Sequence, residues 1–399
     1  MRILVVSNLY PPFFEGGYEI GCKQAVDALK DKGHEVLVLT SYYGIGKPAV
    51  LDDVYRLLRF SLDPLCRKIL YKELKNRFVM KNICRWFKPE RVFIWNLTHV
   101  SVAVALVAQN MGIPVCYYVF DGWLANWESD QWSGIQNSSS IIARLIRTVG
   151  FLFGLKSMIK LPYLHNAIFA SAFLKNMAVL KGKARNENVV VWWGINAERF
   201  IPRERDSSTA IKLLYVGQII GHKGVHTIVK ALDIVKKTIG QSRKITLTIV
   251  GDTLQVPEYV SELQHIISMR GLEHCIQFAG KHDNEQLPEV YADHDIFVFA
   301  SIWDEPFGIT LLEAMASGLA VVATDTGGSA EILEDSINAL VFEKDNPDSC
   351  ATQIIKLINT PHLFNTISMG GRRTVEQKFR FDKMIDSLED HLCNALKSY

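Results

Sequence analysis

The segment DEPFGITLLEAMASGLAVVATDTGGSAEIL, Asp304 to Leu333, places two carboxylates, Glu305 and Glu313, on either side of Gly308 and the start of an apolar helical pattern. Thr310 followed by Glu313 reads as a T-x-x-E capping box, in which Glu313 would only close a helix. The same geometry has a second use. A glycine-bearing loop entering a helix presents free N–H groups and the positive end of the helix dipole, which together bind an anion. A carboxylate beside such a site can accept from sugar hydroxyls, as the acidic residue of a dinucleotide domain accepts from ribose.

Two further segments carry comparable signals. In YVGQIIGHKGV, Tyr215 to Val225, a strand gives way to Gly217, and Lys223-Gly224 precede a helix. A lysine at a helix start opposes the macrodipole, and a bound diphosphate would supply the reason for it; a solvated loop lysine is the plainer alternative. In LYPPFFEGGYEIG, Leu9 to Gly21, Gly16-Gly17 stand at the mouth of the first helical pattern. They would let a ligand approach the backbone closely, or form a simple turn. The full G-x-G-x-x-G fingerprint is absent from both halves, which disfavours a dinucleotide-binding dehydrogenase.

Elements must hold these segments in place. With 399 residues and about 150 per domain, two or three domains are expected. Short β-rich runs alternate with amphipathic patterns throughout, the signature of parallel βαβ units. Strands are expected at Ile3–Val6, Val36–Thr40, Arg91–Trp95, Val115–Val119, Ala167–Ala170 and Val189–Trp192, with Leu51–Lys88 mostly helical. After Phe200 the polar stretch IPRERDSSTA marks a boundary, and the alternation restarts at Lys212–Val216. The reading is therefore α/β: two doubly wound domains, residues 1–200 and 201–380, facing a cleft, and a closing helix over 381–399 that packs back on the first.

Composition adds little but excludes much. Residues 1–200 carry 25 basic and 15 acidic side chains, the remainder 19 and 27, so the near-neutral total hides two differently charged halves. The seven cysteines are scattered without a C-x-x-C, which argues against a disulfide framework and a zinc site and for a cytoplasmic chain. Val92–Phe120 lacks charge but is broken by Asn96, His99, Gln109-Asn110, Gly112 and Pro114, so it is strand, helix, strand rather than a membrane span. From Gln131 to Asn186 there are eight basic residues (Arg144, Arg147, Lys156, Lys160, Lys175, Lys181, Lys183, Arg185) and no acidic one, interleaved with Ile141-Ile142, Leu145-Ile146, Phe151-Leu152-Phe153 and Met158-Ile159. A helix there could set a basic face against an apolar one and sit on the inner, anionic face of a membrane; a solvated face over a core helix is the ordinary alternative. No nucleic-acid motif appears.

Taken in order along the chain, these segments resemble the retaining, GT-B-fold glycosyltransferases of family 4, the glycosyl transferases group 1. The Glu305/Glu313 frame, Gly217–Gly224 with its Lys-Gly end, Gly16-Gly17, WWGINAERF (Trp192–Phe200) and FAGKHDNEQLPEVYADHDIFVFAS (Phe278–Ser301) all take part. The resemblance implies a GT-B architecture and transfer of a sugar from a UDP-sugar, UDP-glucose first, to a glycan or lipid-linked acceptor. It implies that Glu313 accepts from the ribose, Lys223 neutralises the diphosphate and Glu305 contacts the transferred sugar. Backbone amides of Gly308, Ile309 and Thr310, after Phe307, would face phosphate or sugar; Gly16-Gly17 would cap the phosphate, and Gly280 and Lys281 would lie at the base.

Two departures qualify the likeness. Gln218 stands where the family commonly has arginine, leaving Lys223 more of the charge to balance. Phe120-Asp121 replaces a His-Asp pair; Asp121 would orient acceptor or donor, His99 is the other candidate, and a merely structural role is the alternative for either. Lys223 and the helix N-terminus would stabilise the leaving diphosphate without a metal or other cofactor. Asp293 and Asp295 form the nearest D-x-D, in a context unlike a metal-dependent site. A non-hydrolysing nucleotide-sugar epimerase and a catalytically silent nucleotide-sugar or glycan binder are the alternatives.

Overall fold

The computed structural model describes residues 1–14, 16–62, 69–124, 135, 138–152, 166–203, 210–240 and 243–395. The chain divides into two compact units, Met1–Val191 with Ile385–Tyr399, and Trp192–Met384. In each, apolar runs too short for helices pair as parallel strands, and the longer amphipathic stretches between them form the crossovers that parallel pairing requires.

The first unit comprises β1 (Arg2–Ser7), α1 (Gly17–Asp31), β2 (Glu35–Ser41), β3 (Ala49–Leu51), β4 (Val54–Leu58), α2 (Ile69–Phe87), β5 (Arg91–Asn96), α3 (Ala103–Asn110), β6 (Val115–Val119), α4 (Ile141–Leu152), β7 (Ala167–Phe169), α5 (Ala172–Leu180) and β8 (Val189–Val190). Its sheet runs β3-β4-β2-β1-β5-β6-β7-β8, parallel except for β3. Ile3, Leu4, Val5 and Val6 of the central strand are wholly buried.

The second unit comprises β9 (Ala210–Val216), α6 (Val225–Ile239), β10 (Lys244–Val250), α7 (Pro257–Met269), β11 (Ile276–Gly280), α8 (Leu287–Ala292), β12 (Ile296–Phe299), α9 (Ile309–Ala316), β13 (Ala320–Ala323), β14 (Leu340–Val341), α10 (Pro347–Asn359) and α11 (Pro361–Lys378), leading into α12 (Phe381–Asn394). Its sheet is parallel, in the order β11-β10-β9-β12-β13-β14. That is the doubly wound order, with the winding reversing between β9 and β12. One core joins Ile211, Leu213, Leu247 and Ile249 of the strands to Ile228 and Leu232 of α6.

The expected α/β class is what the chain adopts, with one local correction. The start of Leu51–Lys88 is a hairpin, β3 and β4 pairing across Asp52-Asp53 with φ of 49° and 61°. A two-residue hairpin turn of this kind needs positive φ at both positions, and aspartate tolerates it better than most residues. The strand escaped notice because its inward residue is charged: Val54, Arg56 and Leu58 are the buried positions. Helix α2 covers Ile69–Phe87.

The segment before Phe200 belongs with the second unit, where Ile195 bridges Arg380 and Arg372 donates to the carbonyls of Ala197 and Phe200. The end of α12 belongs with the first. Lys32 Nζ lies 2.7 Å from Asp386 and 2.8 Å from Glu389, and Arg91 Nε donates to the Leu392 carbonyl at 2.7 Å. Among the described residues no helix is long and apolar enough to cross a membrane. Of the basic segment, α4 is described, whereas Phe153, Lys156, Met158, Ile159 and Lys160 lie outside the described residues.

Candidate active site

In the second unit the loops after β9 and β12 leave the sheet at its switch point, the crevice where such sheets bind ligands. Lys223, at the end of a single 3-10 turn, donates from Nζ to both Glu305 oxygens, at 2.6 and 2.8 Å. Glu305 is buried, and the lysine keeps one-fifth of its side chain exposed. Two glycines hold the pair. Gly224 has φ 68°, and a Cβ there would stand 1.9 Å from the Ala300 carbonyl oxygen, so glycine alone lets the lysine loop close on the end of β12. Gly327 has φ 58°, and a Cβ there would stand 2.4 Å from the Glu305 carbonyl oxygen, which also accepts from the Gly328 N–H at 2.6 Å.

Trp303 flanks this pair. Its ring lies 4.9 Å from the His222 ring and 5.8 Å from Lys223 Nζ, and the indole is exposed. Burial, and then the Lys223 charge, push the His222 pKa down, which favours the neutral imidazole.

Glu313 sits in α9, whose cap is Gly308 with φ 152°. The expected capping box does not form, because Thr310 is already inside the first turn. With Gly308 as the cap, Thr310 is the second helical residue and Glu313 the fifth, whereas a capping box needs the cap and the third. Instead the carboxylate turns to a buried tyrosine. Tyr291 of α8 is wholly inaccessible, and its hydroxyl donates to Glu313 Oε2 at 2.9 Å. Burial pushes the Glu313 carboxyl up to about 7, while the tyrosine hydrogen bond and the Arg199 charge pull the other way. Arg199 is itself placed by donating to the Asn284 carbonyl at 3.0 Å.

The remaining expected residues of this unit are placed variously. Gln218 is exposed, and its carbonyl accepts from the Tyr215 hydroxyl at 2.7 Å. Gly280 (φ 76°) ends β11 and Lys281 follows it; Gly280 lines an open cavity of about 530 Å³ with Thr253, Pro257 and Phe278. Phe307 is buried edge-on against Phe379, ring centroids 5.9 Å apart, so only its backbone remains for a ligand. Ile309 and Thr310 open α9. Asp293 pairs with Lys212 Nζ at 2.9 Å and Asp295 accepts from the Lys212 N–H at 2.8 Å, so that D-x-D braces β9. Among the described residues no three His, Cys, Asp or Glu side chains are grouped to hold a metal.

In the first unit, Gly16 caps α1 and donates its N–H to Glu19 at 3.1 Å; a Cβ there would meet nothing within 4 Å. Gly17 opens the helix. The next residue, Tyr18, ties α1 to the strand ends: its hydroxyl lies between the carbonyls of Trp95 and Tyr118, and its ring stacks on Phe120 at 5.3 Å. Asp121 accepts from Asn96 Nδ2 at 3.2 Å and from the Trp123 N–H at 2.9 Å. Burial pushes its carboxyl up to about 6 against these two hydrogen bonds. His99 has φ 65° and packs its ring 5.1 Å from that of Phe60.

Lys223 and Glu305 are thus brought together, and Asp121 stands with Asn96 and Tyr18. Tyr291, Arg199, His222 and Trp303 went unnoticed in the sequence. Tyr291 could have been found only as a tyrosine within LPEVYADHDIFVFAS, where an aromatic residue reads as core.

Known proteins share the family and the fold of this chain. Residues 196–374 match the family described as glycosyl transferases group 1. An uncharacterised glycosyltransferase of Methanocaldococcus jannaschii is 23% identical over 397 residues, 96% of each chain. The crystal structure of a glycosyltransferase from Rickettsia africae superposes with a TM-score of 0.74 at 21% identity, covering 100% of this chain and 99% of that one. That of Anabaena HepE, in complex with UDP and glucose, gives 0.71 at 19% identity over 99% and 100%. The shared fold is the two-domain Rossmann-like α/β fold of GT-B glycosyltransferases, and the match supports a group 1 glycosyltransferase.

Proposed function

We propose, with the group 1 glycosyltransferase match as premise, that the chain moves a hexose from a UDP-sugar, UDP-glucose by first choice, to a glycan or lipid-linked acceptor. The transfer is retaining and independent of metal, as in family 4, and serves polysaccharide or glycolipid assembly. The observation that carries this reading is Lys223 held on Glu305 at the switch point of the second sheet. Anabaena HepE, solved with UDP and glucose on the same fold, supports the choice of nucleotide.

The largest electrostatic need in this chemistry is charge growing on the departing diphosphate. Lys223 meets it, with the amides of Gly308, Ile309 and Thr310 at the start of α9. Glu305 neutralises the lysine in the pair described; with donor bound, the ammonium turns to phosphate and the carboxylate accepts from sugar hydroxyls. Glu313 accepts from the ribose, and Gly280 with Lys281 borders the base. Gln218 adds no charge beside the phosphates, and the buried Phe307 props the loop. Gly16-Gly17 leave room for a phosphate, and Asp121, oriented by Asn96, positions the reacting groups. The exposed apolar row of α4 beside Arg144 rests on an anionic membrane surface that presents the acceptor.

The test is UDP release from UDP-glucose by the purified chain. Lys223→Ala should slow release on the order of 100-fold, and excess EDTA should leave it intact. Tight UDP-glucose binding with no release under any acceptor would instead mark a silent binder.

A further inference from the structure

Donor binding leaves without a task a wall of rings and guanidinium groups at the carboxyl ends of β2 and β4. Tyr42 and Tyr43 directly follow β2, Arg59 and Phe60 directly follow β4, and His99 lies just past β5. The rings are in series, Tyr43 to Phe60 at 4.8 Å and Phe60 to His99 at 5.1 Å between centroids. Arg59 stands over the ring of Tyr71, 5.0 Å from its centroid. Tyr43 and Tyr71 are 41% and 52% exposed, large apolar faces with water on one side.

A second arginine backs this wall. Arg56 is only 2% exposed, donates to the carbonyls of Tyr10 and Pro11, and lies 5.4 Å from the Phe13 ring centroid. Among the described residues its buried Nε has no hydrogen-bond partner. Among the described residues neither guanidinium is paired with a carboxylate. Of the described acids of this unit, Glu73 accepts from the Ser101 hydroxyl at 2.6 Å with Lys72 Nζ 3.7 Å away, and Asp121 is held by Asn96 and the Trp123 N–H.

A desolvated cation without a counter-charge is costly, and an arriving anion would relieve that cost. The guanidinium fork matches a carboxylate or phosphate with two hydrogen bonds. Exposed aromatic faces suit the C–H faces of a sugar ring, and the carboxyl ends of parallel strands are where such sheets take ligands.

We propose that Tyr43, Phe60, Tyr71 and Arg59 form an acceptor subsite for an acidic saccharide. The rings lie against the sugar faces and the Arg59 guanidinium binds the carboxylate or phosphate, with Arg56 adding its field from behind. This rests on the glycosyl-transfer reading and supplies the class of its acceptor.

The experiment titrates the full chain, by saturation-transfer NMR, with a hyaluronan tetrasaccharide, glucose 6-phosphate and neutral chitotetraose. UDP affinity is measured by calorimetry on the same samples. At least one acidic probe should bind about tenfold tighter than chitotetraose, and Arg59→Gln should remove about tenfold of that affinity. Arg59→Lys should recover part of it, and Tyr71→Ala should weaken acidic and neutral probes alike. The two acidic probes separate a carboxylate from a phosphate site. Neutral binding as tight as acidic, acidic affinity unchanged in Arg59→Gln, or no acidic probe bound at millimolar concentration overturns the subsite. Retained UDP affinity in Arg59→Gln shows the variant folded. Failure of the wild type to bind UDP falls on the donor reading alone.

Discussion

Glu313 is the residue where burial and ligand binding pull in opposite directions. Its carboxyl is pushed up to about 7 by desolvation, against the Tyr291 hydrogen bond and the Arg199 charge. In the fold alone, ionisation is penalised: the penalty is absent below the ordinary carboxylate value and grows as pH rises towards 7. A ribose accepting site needs the reverse, because only the carboxylate offers both oxygens to hydroxyl donors. UDP-glucose affinity should therefore rise between about pH 6 and 8, and Glu313→Gln should flatten that rise. Tyr291→Phe removes a donor to the charged form, so the midpoint should move to higher pH with the rise preserved. Isothermal titration across this range checks it, with thermal melting as the folding control. A profile unchanged in Tyr291→Phe would assign the hydroxyl to packing alone. At this scale the sequence singled out Glu313 but not its surroundings. Glu313 stood out by its distance from Glu305, but a T-x-x-E pattern names a cap, and a cap is exposed. Nothing in the residue order of α8 says that a tyrosine from another helix will claim one oxygen of the carboxylate.

Elements were legible wherever one periodicity dominated. Val115–Val119 is a strand over the residues expected, because it is an apolar run fully buried on both faces. The β3–β4 hairpin was not, because its inward Arg56 breaks the alternation that marks a strand. Helix α4 shows the opposite case, in which the pattern was clear and its use was not. Ile141, Ile142, Leu145 and Phe151 are 75%, 71%, 61% and 61% exposed, whereas Ala143 is buried and Arg147 donates to the Ser138 carbonyl at 2.8 Å. An apolar row facing water with Arg144 beside it suits the boundary of an anionic leaflet. Cosedimentation with anionic vesicles should exceed that with neutral ones at low salt and fall at high salt, since such charges are screened over about 10 Å. Leu145→Glu should abolish it while leaving UDP affinity unchanged. Equal recovery in the supernatant with both vesicle types would mean that α4 meets something other than a membrane.

At the scale of the molecule, the chain visits the first unit twice. The last helix begins in the second unit, yet from Ile385 onward it belongs with the first. Ile385, Leu388 and Leu392 are buried, Lys32 and His34 hold Glu389, and Arg91 donates to the carbonyls of Leu392 and Cys393. The charges give this docking a sign. Glu389 is pulled below the ordinary carboxylate range first by Lys32 and then by His34, so its contribution is present above that range and is lost as pH falls. Because Lys32 and Glu389 keep 35% and 25% of their side chains in water, screening weakens the pair and most of the docking energy comes from the apolar side chains. Burying a leucine or isoleucine contributes about 1.5–3 kcal/mol each, against a median of about 0–1 for an exposed ion pair. Deleting residues 385–399 should accordingly lower the melting temperature of the first unit by several degrees. Arg199, Lys223, Glu305 and Glu313 all lie in the second unit, so its transition should still rise with added UDP. Scanning calorimetry of the full and shortened chains, each with and without UDP, separates the two. Coincident loss of both transitions would show that the units melt as one cooperative body, and an unchanged first transition would show that the helix end contributes little. Lys32→Ala alone should cost much less than the deletion, because it removes only the screened part of the contact while Leu388 and Leu392 stay in place.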